Sequence, residues 1–211
     1  MSDPWRPSLY LAGPEVFRPD ALAEGERLKA ACAGHGAIGL YPLQEGEAPA
    51  TADDIRDHCI ALIRRADAVV ANISPFRGAH MDPGTAFEIG YAEALGLPVF
   101  LWSEDGRDLA ERIAADPSRG VGRDAAGYLI EDFAKPENLM IVRDGQKVFA
   151  SPQEAIAAAT AALAASAGSR RDEARHRAIH RDTRIMVMAA LAVSFAAALA
   201  AGWVVDWLAG R

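Results

Sequence analysis

Up to about residue 165 the chain alternates short apolar runs with stretches of helical period, the pattern of a parallel sheet whose strands are joined by helices. Ser8 to Ala12 reads as a first strand that stops at Gly13 and Pro14. Asp20 to Ala33 follows as a helix ended by Gly34 and Gly36, and Ile38 to Tyr41 as a short second strand before Pro42. Asp53 or Asp54 is placed to cap a helix running to about Arg65, with Ile55, Cys59, Leu62 and Ile63 on one face. Ala68 to Ile73 is apolar without interruption apart from Asn72, as expected of a strand covered on both sides. The spacing then predicts a helix from Pro83 to Leu95, ended by Gly96 and docked on the sheet by a stripe of Phe87, Tyr91 and Leu95. Pro98 to Trp102 gives a fourth strand and Met140 to Val142 a fifth.

Ser151, Pro152 and Glu154 mark the start of a last helix of this domain, as cap, first helical residue and reciprocating acid of a capping box. It runs, rich in alanine, to about Ala165. The pattern then changes character. Residues 166–184 form a basic linker that carries Arg170, Arg171, Arg175, Arg177, Arg181 and Arg184, and Ile185 to Val205 contains no charge. About 20 apolar residues cross a bilayer core of about 30 Å. The segment 185–205 therefore reads as a transmembrane helix, with the arginines on the cytoplasmic side, Trp203 and Trp207 at the other interface, and 206–211 as a tail. Its alanine content keeps a second reading open, an apolar helix that packs in an oligomer.

Composition narrows the function classes. The net charge of -7 over 211 residues argues against a nucleic-acid polymer as partner, since phosphate backbones are bound by basic surfaces. A single nucleoside in a pocket stays allowed. Cys32 and Cys59 are too few for a disulfide framework, and neither they nor the five histidines fall at metal-ligand spacing. With no basic-then-apolar leader at Met1, the expectation is a cytoplasmic, metal-free catalytic domain, anchored to the inner membrane if 185–205 spans it.

The chemistry concentrates in Asp82-Pro-Gly-Thr-Ala-Phe-Glu-Ile-Gly-Tyr-Ala92. Asp82 is a good helix cap and Pro83 a good first helical residue, so this helix begins at the carboxyl end of the strand Ala68 to Ile73, where open α/β sheets bind ligands. Glu88 stands in its second turn between apolar Phe87 and Ile89, and its neighbours four residues away, Gly84 and Ala92, are small enough for a ligand to reach the carboxylate.

Leu9-Tyr-Leu-Ala-Gly-Pro-Glu-Val-Phe17, Ala66-Asp-Ala-Val-Val-Ala-Asn-Ile-Ser-Pro-Phe-Arg-Gly78, the Asp82 to Ala92 helix and Pro136-Glu-Asn-Leu-Met140 follow one another in the chain. In that order and spacing they resemble the nucleoside 2-deoxyribosyltransferase family over residues 8 to 165. The resemblance implies a flavodoxin-like, Rossmann-like α/β sandwich with a five-stranded parallel sheet, and homo-oligomers whose active sites are completed by a neighbouring subunit. It implies that Glu88 is a nucleophile forming a covalent deoxyribosyl ester and that Tyr10 positions it. Asp82 would hold the sugar 5′-hydroxyl, Asn138 would reach the same hydroxyl from the adjacent subunit with Met140 beside it, and Gly13 and Phe17 fall among the substrate-binding positions. One departure stands out. Cys59 occupies the position where relatives commonly carry an aspartate or asparagine that contacts the base, and a thiol is a weak donor unable to replace a carboxylate in acid–base work.

The expected reaction is a retaining double displacement at C1′ that needs no cofactor, with a deoxynucleoside and a free nucleobase as partners. Two alternatives stay open. One is an N-glycosidase acting on 2′-deoxynucleosides or their 5′-monophosphates, to which Arg18 and Arg77 are suited and Asp82 is not. The other is a membrane-anchored sensor of nucleoside derivatives without turnover.

Overall fold

The apolar runs that begin at Ser8 and Ala68 lie side by side at the centre of the molecule. In the computed structural model of the chain, whose described residues are 5–43 and 51–167, they are β1 (Ser8–Ala12) and β3 (Ala68–Asn72). With β2 (Ile38–Leu40), β4 (Val99–Trp102) and β5 (Val148–Phe149) they form a five-stranded parallel sheet of order β2-β1-β3-β4-β5. Tyr10 pairs with Val69 and Leu11 with Val70, and on the other side of β3 Val70 pairs with Phe100. Every residue of β3 is buried, as its unbroken apolar pattern predicts.

Side chains alternate across the sheet and so divide the core in two. Leu9, Leu11, Val70 and Trp102 face α1 (Ala21–Gly34), through Leu28 and Cys32, and the helix over residues 152–167, through Ile156 and Leu163. Tyr10, Val69, Ala71 and Leu101 face α2 (Ala52–Arg65) and α3 (Pro83–Ala94), through Leu62, Ile63, Ile89 and Ala92. The result is the α/β sandwich expected, and Met1–Ala164 constitute one compact unit.

Four local expectations need correction. Thr51, not Asp53 or Asp54, caps α2: its Oγ1 accepts from the Asp54 N–H at 3.2 Å, and Asp54 reciprocates by accepting from the Thr51 N–H at 2.9 Å. Ile55 is exposed, because only the later turns of α2 lie against the sheet. The fifth strand is Val148–Phe149, not Met140 to Val142, which is a turn whose Ile141 and Val142 N–H groups donate to the Asn138 carbonyl. The fourth correction bears on the site. Phe87 and Leu95 are exposed, and α3 sits on the sheet through Thr85, Ile89 and Ala92. Phe87 and Tyr91 instead stack on each other, centroids 6.1 Å apart, beneath the Arg56 and Arg64 guanidinium groups of α2. That rotation of α3 brings Glu88 to the edge of the face that meets the sheet.

The last helix starts at the predicted cap, with the Glu154 N–H donating to Ser151 Oγ at 3.3 Å. The reciprocal bond from the Ser151 N–H to the Glu154 carboxylate, which a capping box requires, is not among those of the described residues. Among the described residues no helix is long and apolar enough to cross a membrane. The basic stretch from Arg170 and the segment 185–205 lie outside the described residues.

Candidate active site

Three elements converge on one carboxylate. Tyr10, fully buried in β1, donates its hydroxyl to Glu88 Oε1 of α3 at 2.6 Å. The half-buried Cys59 thiol of α2 lies beside both groups. Burial pushes the Glu88 carboxyl up to about 7, and the charge of Asp82 adds to the rise. The Tyr10 hydroxyl and the Cys59 thiol, as donors, hold it down. Burial, then the adjoining Glu88 charge, push the Tyr10 phenol far above its ordinary value, so it stays a donor throughout the accessible pH range. The Cys59 thiol is likewise raised by burial.

Asp82 begins the same helix. Its Oδ2 accepts from the Thr85 N–H at 2.8 Å and the Thr85 hydroxyl at 3.0 Å, while Oδ1 takes no hydrogen bond among the described residues. A Cβ at position 84 would come within 2.9 Å of that Oδ2, so Gly84 clears the Asp82 carboxylate rather than Glu88. Asp82 lines an open cavity of about 480 Å³ together with Met81, Phe76, Arg77 and Phe17. Phe17 is 56% exposed and stacks on Phe76 with centroids 5.3 Å apart, and the Arg77 guanidinium covers both rings. Stacked rings and a carboxylate that line one cavity suit a small amphipathic ligand.

Gly13 has a structural part of its own. A Cβ there would collide with the Glu15 carboxylate, which is buried at the carboxyl end of the sheet and accepts a hydrogen bond from Asn72 Nδ2. Gly13 thus lets the turn after β1 fold back, and the turn carries Phe17 to the cavity. Neither Glu15 nor Phe76 stood out in the sequence, although both lie inside segments already singled out.

Asn138 and Met140 are not joined to this cluster within one chain. Asn138 Nδ2 donates to Glu131 Oε1 at 2.5 Å, its Oδ1 accepts from the Met140 N–H at 2.9 Å, and the Met140 side chain is 76% exposed. Arg18 points at Asp20, 2.9 Å away, and so is engaged by an acid of its own. A larger cleft of about 580 Å³ between Gly96 to Val99 and Arg143 to Gln146 lies at the amino end of β4, away from these carboxylates, and is lined by the Arg143–Glu93 ion pair at 3.1 Å and by Asp144, which is paired with Lys135. Among the described residues no cluster of histidine, cysteine and acidic side chains is arranged to hold a metal ion.

A parallel sheet with a carboxylate held by a strand tyrosine, and an open cavity where the central strand gives way to its helix, is an α/β domain of the kind whose sheets bind ligands at that end. The comparisons specify which. The profile of the nucleoside 2-deoxyribosyltransferase family matches residues 9–140. A 2-deoxyribosyltransferase of Leishmania mexicana is 38% identical, covering 72% of this chain and 95% of that one with a TM-score of 0.61. A 2-deoxyribosyltransferase of Bacillus psychrosaccharolyticus is 23% identical over 60% of this chain and 98% of that one, with a TM-score of 0.40. An uncharacterised protein of Schizosaccharomyces pombe is 40% identical over 115 residues, 51% of this chain and 54% of its own length, so the chain spans about half of that relative. The chain belongs to the nucleoside 2-deoxyribosyltransferase family, a family of pentosyltransferases.

Proposed function

We propose that this protein cleaves the N-glycosidic bond of 2′-deoxynucleosides and passes the deoxyribosyl group to another base through an ester on Glu88. The observation that carries this reading is the Tyr10 hydroxyl held 2.6 Å from Glu88 Oε1. A donor in that place orients the carboxylate and keeps a share of it ionised although burial raises it to about 7. In the first half-reaction a Glu88 oxygen bonds to C1′ as the C1′–N bond breaks, and the electron pair leaves with the base, which takes up a proton. In the second half an incoming base nitrogen bonds to C1′ and gives up its proton to water, the ester C–O bond breaks, and Glu88 is a carboxylate again. Both halves pass through a transition state of oxocarbenium character, which a 2′-hydroxyl would destabilise by induction, so the 2-deoxy sugar is favoured.

Asp82 lines the cavity, and its Oδ1 has no protein partner among the described residues, so it is suited to the sugar 5′-hydroxyl. A 5′-phosphate in its place would be repelled, and Arg18 is already paired with Asp20. The stacked Phe17 and Phe76 offer the base a flat apolar wall. Cys59 cannot protonate the leaving base as a carboxyl would, so the base takes its proton from water, and bases that leave readily are turned over fastest. The exposed Met140 lies in a region with exposed Val121, Tyr128, Leu129 and Phe133, which supports a neighbouring subunit covering this loop and receiving Asn138 in its own site.

Intact mass spectrometry of the protein mixed with 2′-deoxyinosine is the direct test. A mass gain of one deoxyribosyl group on the peptide containing Glu88, discharged by added adenine, is expected. Base exchange with no adduct, and undiminished in Glu88→Ala, would overturn the reading.

A further inference from the structure

Glu137 is a carboxylate that the chemistry at Glu88 does not use, and it is 2% exposed. Its Oε2 accepts from the Met81 N–H at 2.8 Å, and its Oε1 accepts from the Asn138 N–H at 2.9 Å and lies 2.8 Å from His80 Nδ1. The Arg112 guanidinium, itself 3% exposed, stands 3.8 Å away and donates to the Pro136 carbonyl. Burying a carboxylate is costly unless its lone pairs are occupied, and here they are spent on the main chain of two loops far apart in sequence. What Glu137 holds is specific: Met81 immediately precedes Asp82, and Asn138 follows Glu137 itself.

We propose that Glu137 is a positioning residue that, by gripping the main chain at Met81 and at Asn138 together, sets Asp82 for the sugar 5′-hydroxyl in its own site and Asn138 for the same hydroxyl in the neighbouring subunit's site. This rests on the proposed function. A shift at Met81 moves Asp82 and the first turn of α3, and a shift at Asn138 turns the loop that presents its amide. Two carboxylate oxygens serve two N–H donors. Glutamine has one acceptor oxygen and would set its NH₂ against the second N–H, whereas aspartate keeps both oxygens on a shorter arm.

The test compares kcat/KM for 2′-deoxyinosine and 2′,5′-dideoxyinosine in the full chain, in Glu137→Gln, in Glu137→Asp, and in Asp82→Asn as the reference for a lost 5′-hydroxyl contact. The unaltered protein is expected to prefer the 5′-hydroxyl substrate by about tenfold or more, since a site built to bond a hydroxyl rejects the analogue that lacks it. In Glu137→Gln that preference should fall to about threefold or less, with the dideoxy substrate turned over within about threefold of the unaltered rate. Glu137→Asp should fall between, and it carries the comparison if the glutamine variant does not fold. An equal loss on both substrates in the variants that fold, or an unchanged preference, overturns the proposal, the first because it marks a merely structural residue. Preference lost in Asp82→Asn but kept in Glu137→Gln removes the role of Glu137 and leaves the proposed function standing. Turnover without a Glu88 adduct removes the nucleophile and leaves the substrate ratios as a valid measure of Glu137.

Discussion

The carboxyl of Glu88 is pulled in two directions, and both can be measured. Burial and Asp82 raise it to about 7, while Tyr10 and Cys59 lower it. Since only the ionised form attacks C1′, kcat/KM is expected to rise with pH through an apparent value near 7. In Tyr10→Phe the donor is gone, so Glu88 titrates higher. The rising limb should move to higher pH and the rate at neutral pH should drop about 10- to 100-fold. An unmoved limb in the pH–rate profile would count against Tyr10 as the donor that matters. The same balance has a stability side. A carboxyl raised in the folded state favours folding fully below its unfolded value of 4.5, and this contribution is lost as pH rises through about 7. At pH 8 Glu88→Gln should therefore be more stable than the unaltered protein, on the order of 1–3 kcal/mol, and the gain should vanish near pH 4. Urea titrations at the two pH values check this.

At the scale of elements, α3 matters most, and it shows what the sequence can and cannot reveal. Its cap, its first proline and its stop at Gly96 depend on local backbone chemistry, and all stand as read. So do β1 and β3, whose apolar runs have few alternatives. The face of α3 was misread because large apolar residues need not point to the sheet. Phe87 and Tyr91 satisfy each other and two arginines of α2, and the sheet receives the small residues Thr85 and Ala92 around Ile89. No periodicity could show this, since it depends on which helix comes to lie alongside. The fifth strand failed for a related reason: Asn138 turns the chain, and only two residues of Val148–Phe149 reach the edge of the sheet. Tyr10, Glu88 and Asp82 were legible through the resemblance, whereas Glu137 was not, because a glutamate before an asparagine in a loop carries no sign of burial. Gly84→Ala separates stability from function on this helix. Alanine favours the helix by about 1 kcal/mol. The added Cβ, however, stands 2.9 Å from Asp82 Oδ2 and must displace it. Displacing that oxygen also loosens its cap bond to the Thr85 N–H, a loss of about 1 kcal/mol that offsets the gain. Thermal unfolding should therefore change little, while kcat/KM for a 5′-hydroxyl substrate should fall about tenfold.

Across the whole molecule, the site draws on residues far apart in the chain. Tyr10 and Glu88 are separated by 78 positions, and Glu137 and Met81 by 56. Contacts of this span form only once the parallel sheet has closed, so the site cannot exist in a fragment or a half-folded intermediate. In a denaturant series, loss of base exchange is expected to coincide with loss of helical circular dichroism. Activity that disappears at clearly lower denaturant would mean that the site opens separately.

The pairing of Tyr10 with Val69 carries a further consequence, for folding errors. Side chains along a strand alternate between the two faces, so a slip of β1 by one residue would turn Tyr10 toward α1 and bring Leu9 or Leu11 to the α2–α3 side. Such a chain would still bury apolar side chains on both faces of the sheet, but it would leave the Tyr10 hydroxyl without a partner among them. It would present Glu88 with a methyl group in place of a hydroxyl. Strand register thus acts as a checkpoint for this enzyme fold, and a preparation containing slipped molecules would lose specific activity in proportion and show a second, lower melting transition.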